Sequence, residues 1–405
     1  MIRQILLNYA ASKDFNLSGF FVTLLKLKKI YIKKIVWLDQ LPNDNLQMLA
    51  GDERCVSYSP QLPEQQELFK FTEKSIQLYK FDHVLINITS SCILLRANNK
   101  MIVERVEEAP IEYSDYSAGF VKKHNSDTAL VRLNQKRIKM NNVLYLGGNG
   151  CFNYYHWLIE IIPKLLYLNN DILAEYQIDS ILCDISAQRI ESFGKILNII
   201  LTEKGIDLPI KYVNRKNDIE LQRILYVNNF NNLVFNSKIR LSGVEYSHFY
   251  INSLKKLRKI LINAVNKKDL GYKKIFLARK ESQVRFYNQA EVLSYFISQG
   301  FKPVYLEEYS FEEQISLFTH ADFIVGPSGA AWSNIIFCKE GCQGMSWLPE
   351  RLSEFSAFSS LAKIFGCDLK FILTDQSENK QDIHSNYVIN INKLIELYTQ
   401  MTTVN

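Results

Sequence analysis

The chain has 405 residues, 47% of them hydrophobic and 22% charged, with a formal net charge of +6. That hydrophobic share excludes disorder by composition, and the length fits two domains at roughly 100–200 residues each. No uninterrupted apolar run of about 18 residues occurs, which argues against a spanning helix, and the mild positive charge suits an acidic substrate or a membrane surface better than nucleic acid.

The opening residues, MIRQILLNYAASKDFN, are too polar for a secretion signal, so a cytoplasmic location is expected. Residues 20–38 read FFVTLLKLKKIYIKKIVWL. Wound as a helix, they gather Lys26, Lys29, Lys33 and Lys34 on one face and Leu24, Leu27, Tyr31, Ile35 and Leu38 on the other. Such a segment suits peripheral contact with the inner face of the cell membrane. It also suits a helix packed on its own domain, or a strand pair, because L-K-L-K alternates.

Residues 81–106 hold two strand-like runs, SSCILLR and KMIVERV, joined by Ala97-Asn98-Asn99, which predicts a hairpin. The Asn87-Ile88-Thr89 triplet lies in a predicted strand and is discounted as a glycosylation site. From about residue 140, strands and helices alternate. NVLYLGG, DSILCDI, IKYV and RILYV read as strands; Asn153–Leu168, Ser186–Lys204 and the basic stretch SHFYINSLKKLRKILINAV read as helices. After a Lys-rich break at 266–269, KKIFLAR, Phe301–Leu306, ADFIVG, GMSWL and DLKFILT read as further strands. Asn288 with Glu291, and Ser310 with Glu313, have capping-box spacing, and Asn390 is placed to cap a last helix, NINKLIELYTQM.

Repeated β-α-β units imply a parallel sheet covered on both faces. The expectation is an α/β protein with two Rossmann-like domains facing a cleft, preceded by a region containing a β-hairpin. The expected boundaries are an N-terminal region at 1–75, a first Rossmann-like domain at 76–265, a second at 266–385 and a C-terminal helix at 386–405. Seven dispersed cysteines argue against a disulfide framework, and Cys338 and Cys342 in CKEGC lack the second Cys/His pair of a zinc site.

Three stretches carry candidate chemistry. In IVGPSGAAWSN an apolar strand runs into Gly326-Pro327-Ser328-Gly329, then Ala330 and Ala331. A loop at the carboxyl end of a parallel strand is where such sheets bind ligands, and unpaired N–H groups at a helix start suit phosphate; a plain strand-to-helix turn reads the same way. It is neither a Walker motif nor a GxGxxG fingerprint. In FLARKESQVRFYN, Arg279 ends a strand and Arg285 follows in the loop; arginine's planar fork suits a diphosphate, whereas Lys280 reads as a surface ion pair. In FNYYHWLIEIIPKLL, His156 and Glu160 are four apart and share a helix face, and Pro163 is placed to kink or end that helix. A carboxylate-oriented histidine is a good general base, and a helix-surface pair is the plainer reading.

Together these stretches resemble glycosyltransferase family 61. VGPSGAAWSNIIF is similar to the family signature, usually G-P-[HST]-G-A-x-[LWF]-[TS]-N-[LIM]-[LI]-F. FLARKESQVRFYNQAEV resembles the family's strand-Arg, Arg-x-x-Asn stretch, and NYYHWLIEIIPKLLYL its N-x-x-H-W block, which ends in P-[RK]. The likeness covers roughly residues 80–375. It implies a GT-B arrangement, an inverting mechanism and a nucleotide-sugar donor, with capsular or other surface polysaccharide synthesis as the setting of bacterial members. Ser328 stands where many members carry His. Glu350 is the nearest candidate for the family's acidic, ribose-binding residue.

The resulting expectation is a metal-independent glycosyltransferase. The donor diphosphate lies between the Gly326–Ala331 loop and Arg279 with Arg285, Asn334 holds the loop, and Trp332 either stacks on the ligand or is buried. His156 takes the acceptor proton, with Glu160 orienting it or acting as base itself. No D-x-D triplet occurs, so no metal and no other cofactor is expected. The partners are a nucleotide sugar and a glycan or lipid-linked glycan acceptor. Two rivals remain at this stage: a non-catalytic sugar-nucleotide or polysaccharide-binding subunit, and a transferase using a different activated donor.

Overall fold

The computed structural model describes residues 29–42, 46–62, 66–73, 75–104, 119–134, 136–233, 243–280, 286–376 and 386–403. The chain divides into two units. The first comprises Met1–Glu53 with Lys74–Ile239, the second Arg54–Glu73 with Arg240–Asn405.

The first unit is built on one large mixed sheet. Its strands β1 (Ile76–Asn87), β2 (Arg137–Leu146), β3 (Ser180–Asp184), β4 (Ile210–Val213) and β5 (Asp218–Val227) lie in the order β4-β3-β2-β5-β1. The four from β2 to β5 are parallel, and β1 runs antiparallel to β5. β3 is buried along its whole length, as a strand covered on both faces must be. Helix α1 (Glu191–Glu203) returns the chain from β3 to β4, burying Phe193, Ile196, Leu197 and Ile200 on one stripe. Beyond β1 the sheet continues through Ile93–Leu95 and Lys100–Val103, the predicted hairpin, with Asn99 at φ 59° in its turn.

The sheet curls strongly. Asn87 registers with Asp218 at the start of β5, yet the Tyr145 hydroxyl near the end of β2 donates to the Ser90 carbonyl at 2.7 Å and lies within 3.1 Å of the carbonyls of Asn87 and Ile88. His83, within β1, adopts φ 53°. Asn87 is fully buried and its amide donates to the carbonyls of Arg215 and Asn217, so it is a structural clasp.

The basic segment near the N-terminus is corrected in part. Ile30–Trp37 is a strand, parallel to Lys100–Val103 and antiparallel to Thr128–Arg132. In a strand, successive side chains face opposite ways. Lys33 is accordingly buried, donating to Asn99, while Lys34 is exposed, so no lysine stripe forms here. Lys26, Leu24 and Leu27 lie outside the described residues. Among the described residues, no helix is long and apolar enough to cross a membrane.

The second unit begins with the hairpin Glu53–Tyr58 and Leu68–Glu73 and the helix α2 (Ile251–Ala264). The rhythm of the sequence placed both before the expected boundary at 265. Contacts put them here: Arg258 on α2 donates to the Cys338 carbonyl at 2.6 Å, and Ser359 donates to the Tyr58 carbonyl at 2.6 Å. Five parallel strands follow: β6 (Lys274–Leu277), β7 (Lys302–Val304), β8 (Phe323–Val325), β9 (Gln343–Pro349) and β10 (Asp368–Gln376), in the order β7-β6-β8-β9-β10. They alternate with α3 (Gln289–Ser298), α4 (Phe311–His320) and α5 (Ala357–Ile364), and α6 (Ile391–Thr403) closes the chain. One face of the sheet packs Phe276 and Trp347 against Val292 and Phe296 of α3 and Leu394 of α6.

Ser310 and Glu313 form the predicted capping box on α4. Asn390 accepts from the N–H groups of Asn392 and Lys393, as expected. Asn288 does not cap α3. Its side chain instead clasps Ile389, accepting from its N–H at 2.8 Å and donating to its carbonyl at 3.0 Å. That long-range pairing outweighs the local cap.

Candidate active site

In the first unit the chain leaves β2 through Gly147-Gly148-Asn149-Gly150 and enters a tight helical segment. His156–Ile161 winds as a π-helix and Ile162–Tyr167 as a 3-10 helix. Pro163 supplies no N–H, which fits the change of winding at that point. π-Helical turns are rare and frequent at functional sites. Trp157 anchors the segment: it is fully buried, stacks on Phe193 of α1 and donates to the Phe193 carbonyl.

The anchored segment fixes the predicted pair. His156 and Glu160 are both buried, and His156 Nδ1 lies 2.6 Å from Glu160 Oε2. A carboxylate accepts, so Nδ1–H donates and the ring lone pair falls on Nε2. The other oxygen, Glu160 Oε1, accepts from the N–H of Leu233, just past the end of β5. The carboxyl ends of β2 and β5 thus meet at this pair. Strands run outward from β2 through β3 to β4, and β5 lies on its other side. That reversal is the switch point where open α/β sheets bind ligands.

Two neighbours of the pair escaped the sequence reading. Gly150 has φ +72°, and a Cβ there would sit 2.3 Å from the His156 ring. The glycine lets the imidazole lie against the loop. Lys164, one turn beyond Glu160, is buried, and its Nζ donates to Asn229 Oδ1 at 2.8 Å. Asn229 in turn donates to Glu104, which also accepts from the Tyr226 hydroxyl at 2.8 Å. Burial holds the Lys164 ammonium down to about 8, against the upward pull of Glu104 and Glu160. Burial likewise raises the Glu104 carboxyl, against Lys164 and its hydrogen bonds. Position 164 was visible as the basic residue after Pro163, but nothing local showed that it is buried.

In the second unit, β6 is the first strand and β8 the third, and they are neighbours, so the switch point lies between them. Arg279 follows β6 and the Gly-Pro-Ser-Gly loop follows β8. The structure brings the two together: Arg279 Nη2 donates to the Ser328 carbonyl. Gln289 grips the Arg279 backbone at both ends, accepting from its N–H at 2.9 Å and donating to its carbonyl at 2.7 Å. A Cβ on Gly329 would lie 2.7 Å from Arg279 Nη2, and one on Gly326 would lie 2.7 Å from the Leu277 Cβ. Each glycine therefore serves a close contact within the unit.

Ser328, Gly329, Ala330 and Ala331 are half-buried, while Asn334 and Trp332 are fully buried in the 3-10 helix Ala330–Phe337. Trp332 Nε1 lies 3.4 Å from the Gly326 carbonyl, so the indole is a packing element under the loop. Glu350 is exposed and begins a 3-10 turn directly after β9. Lys280 is exposed with Nζ 3.0 Å from Glu308, the surface ion pair expected of it. Arg285 lies outside the described residues.

All seven cysteines are buried and free of disulfides. Cys342 and Cys367 precede paired positions of β9 and β10, and their thiols face the backbone carbonyls of Gln343 and Lys339. Among the described residues, no group of three or more His, Cys, Asp or Glu side chains is arranged to hold a metal ion.

The glycosyltransferase 61 family model matches residues 154–345. That match supports glycosyltransferase family 61 and glycosyltransferase activity. The match starts two residues before His156 and ends inside β9, so it takes in the His156–Glu160 pair, Arg279, Arg285 and the Gly326–Asn334 stretch, and leaves Glu350 outside. No curated protein matches the chain. The mixed α/β architecture is consistent with a glycosyltransferase, and the family points to a sugar donor and a glycan acceptor as substrates.

Proposed function

We propose that this glycosyltransferase moves a sugar from a nucleotide-sugar donor to a glycan or lipid-linked glycan acceptor, with inversion and without a divalent cation. The observation that carries the reading is the contact between Arg279 and the Ser328 carbonyl. It gathers a guanidinium, a small-residue loop and a helix start at the carboxyl ends of β6 and β8.

The donor's diphosphate is assigned to that place. As the bond from anomeric carbon to diphosphate breaks, negative charge grows on the leaving oxygen, and fixed cationic donors stabilise it. Arg279 faces that charge, joined by Arg285 on the strength of the sequence. The N–H groups of Gly329, Ala330 and Ala331 face the phosphates, Asn334 steadies the loop and Glu350 is assigned to the ribose. The acceptor hydroxyl loses its proton to His156 Nε2 while its oxygen bonds to the anomeric carbon from the face opposite the diphosphate. Glu160 holds the ring through Nδ1 and stabilises the imidazolium that results. The metal-free part rests on the missing D-x-D triplet and on arginine as the alternative counter-charge. The GT-B class and the capsule setting belong to the same proposal and rest on the family resemblance, and a cytoplasmic location belongs to it as the default setting.

The test is nucleotide release from a panel of nucleotide sugars. His156→Ala and Arg279→Ala should each lower turnover at least a hundredfold while circular dichroism stays native, and a chelator should leave the wild type active. Near-normal turnover in both variants would sink the site assignment. Tight donor binding with no transfer to any acceptor would favour the binding-subunit reading.

A further inference from the structure

We propose that Lys164 is a positioning residue of the transfer site: its buried ammonium, joined through Asn229 to Glu104 and four residues beyond Glu160 on the same helical segment, sets the charge against which the His156–Glu160 pair takes up a proton. The inference rests on His156 being the base proposed above, and it concerns a residue outside that mechanism.

Three facts support it. Lys164 is fully buried, where a long cation is costly unless its surroundings are built for it. Its surroundings are built. The ammonium donates to Asn229, lies 5.2 Å over the Tyr226 ring, and feels both carboxylates. The groups come from separate elements: Glu160 from the helical segment, Glu104 from the end of the hairpin, and Tyr226 and Asn229 from β5 and the residues after it. Tyr145 and Cys92 stand beside Tyr226, and Tyr79 faces Glu104. None of these contacts is needed to close the helical segment itself, which Trp157 already anchors.

The electrostatics give signed consequences. Glu160 bonds the His156 ring and also attracts the Lys164 ammonium. Two cations beside one carboxylate oppose each other, so the Lys164 charge works against proton uptake by the pair. Removing the lysine charge leaves two uncompensated carboxylates nearby and should make His156 more basic. Removing the Glu104 charge should do the reverse. Arginine at 164 keeps the charge and should preserve the titration.

The experiment follows the His156 imidazole resonance by NMR in the whole protein, assigned by its loss in His156→Ala, together with the pH profile of kcat/KM. In Lys164→Met the His156 titration and the acidic limb of the profile should both move up by about one pH unit. In Glu104→Gln, which keeps shape and folding, both should move down. Lys164→Arg should lie within a few tenths of the wild type. An unmoved His156 titration in both Lys164→Met and Glu104→Gln overturns the proposal. A moved titration with an unmoved kinetic limb upholds the coupling and removes His156 as the base, which separates the two readings. A merely structural lysine would change stability and leave these opposite shifts absent.

Discussion

Gly326 and Gly329 sit three residues apart and do different work. Gly326 lies against the Leu277 backbone and Cβ on the neighbouring strand, which has no room to yield. Gly329 lies against the end of the Arg279 side chain, which does. Its φ of 165° is ordinary extended backbone, so only the contact demands glycine there. Gly326→Ala should therefore cost about 1–3 kcal/mol of stability through overpacking, read by urea unfolding. Gly329→Ala should leave the urea midpoint nearly unchanged and push the guanidinium off Ser328. Donor affinity should then fall roughly tenfold, the worth of one charged hydrogen bond, read by calorimetry. If Gly329→Ala binds donor like the wild type, the Arg279–Ser328 contact is not part of the donor site. The small residues of this loop looked, in the sequence, like room for a ligand. The structure shows that two of them first make room for a strand and an arginine.

Local rules worked for elements whose partners are near in sequence. The Ser310–Glu313 capping box is one, since both partners lie within a single turn. Ser310→Ala should cost ~1 kcal/mol, seen as earlier amide exchange in α4, and unaltered exchange there would show the box to be idle. Continuous apolar runs marked the buried parallel strands, and β3 is the plainest case. The rules failed where a distant partner won. Asn288 has a capping sequence, yet Ile389, about a hundred residues on, takes its side chain. Residues 30–37 have an amphipathic helical reading, yet pairing on both edges makes them a strand. The His156–Glu160 spacing was legible as a shared helix face. Its winding was not, because the π-helical turn depends on Pro163 together with the Trp157–Phe193 anchor.

At the scale of the molecule, each unit carries its candidate residues at the switch point of its own parallel sheet. Lys164 links that arrangement to stability. Its ammonium titrates near 8, below the ordinary lysine value of 10.5. Between those two values the unfolded chain holds more protons than the folded one, so stability rises with pH across that window. The penalty on the folded state below about 8 is on the order of 3 kcal/mol. Unfolding free energies at pH 8 and pH 10 should show wild type gaining on Lys164→Met as pH rises. A difference that is flat or falling would mean the lysine is not held below its ordinary value.

The sequence by itself determined the α/β class, most strands and helices, the family blocks and the identity of His156, Glu160, Arg279 and the Gly-Pro-Ser-Gly loop. Periodicity, caps and motif spacing are local properties of the chain, and they survive folding when no distant partner competes. Only the tertiary structure decided that β2 and β5 end together, so that Leu233 holds Glu160, and that β6 and β8 are neighbours, so that Arg279 meets Ser328. It alone buried Lys164 and joined it through Asn229 to Glu104. Strand order and burial arise from pairings across tens of residues, and a charge acquires its chemical character from what surrounds it after those pairings are made.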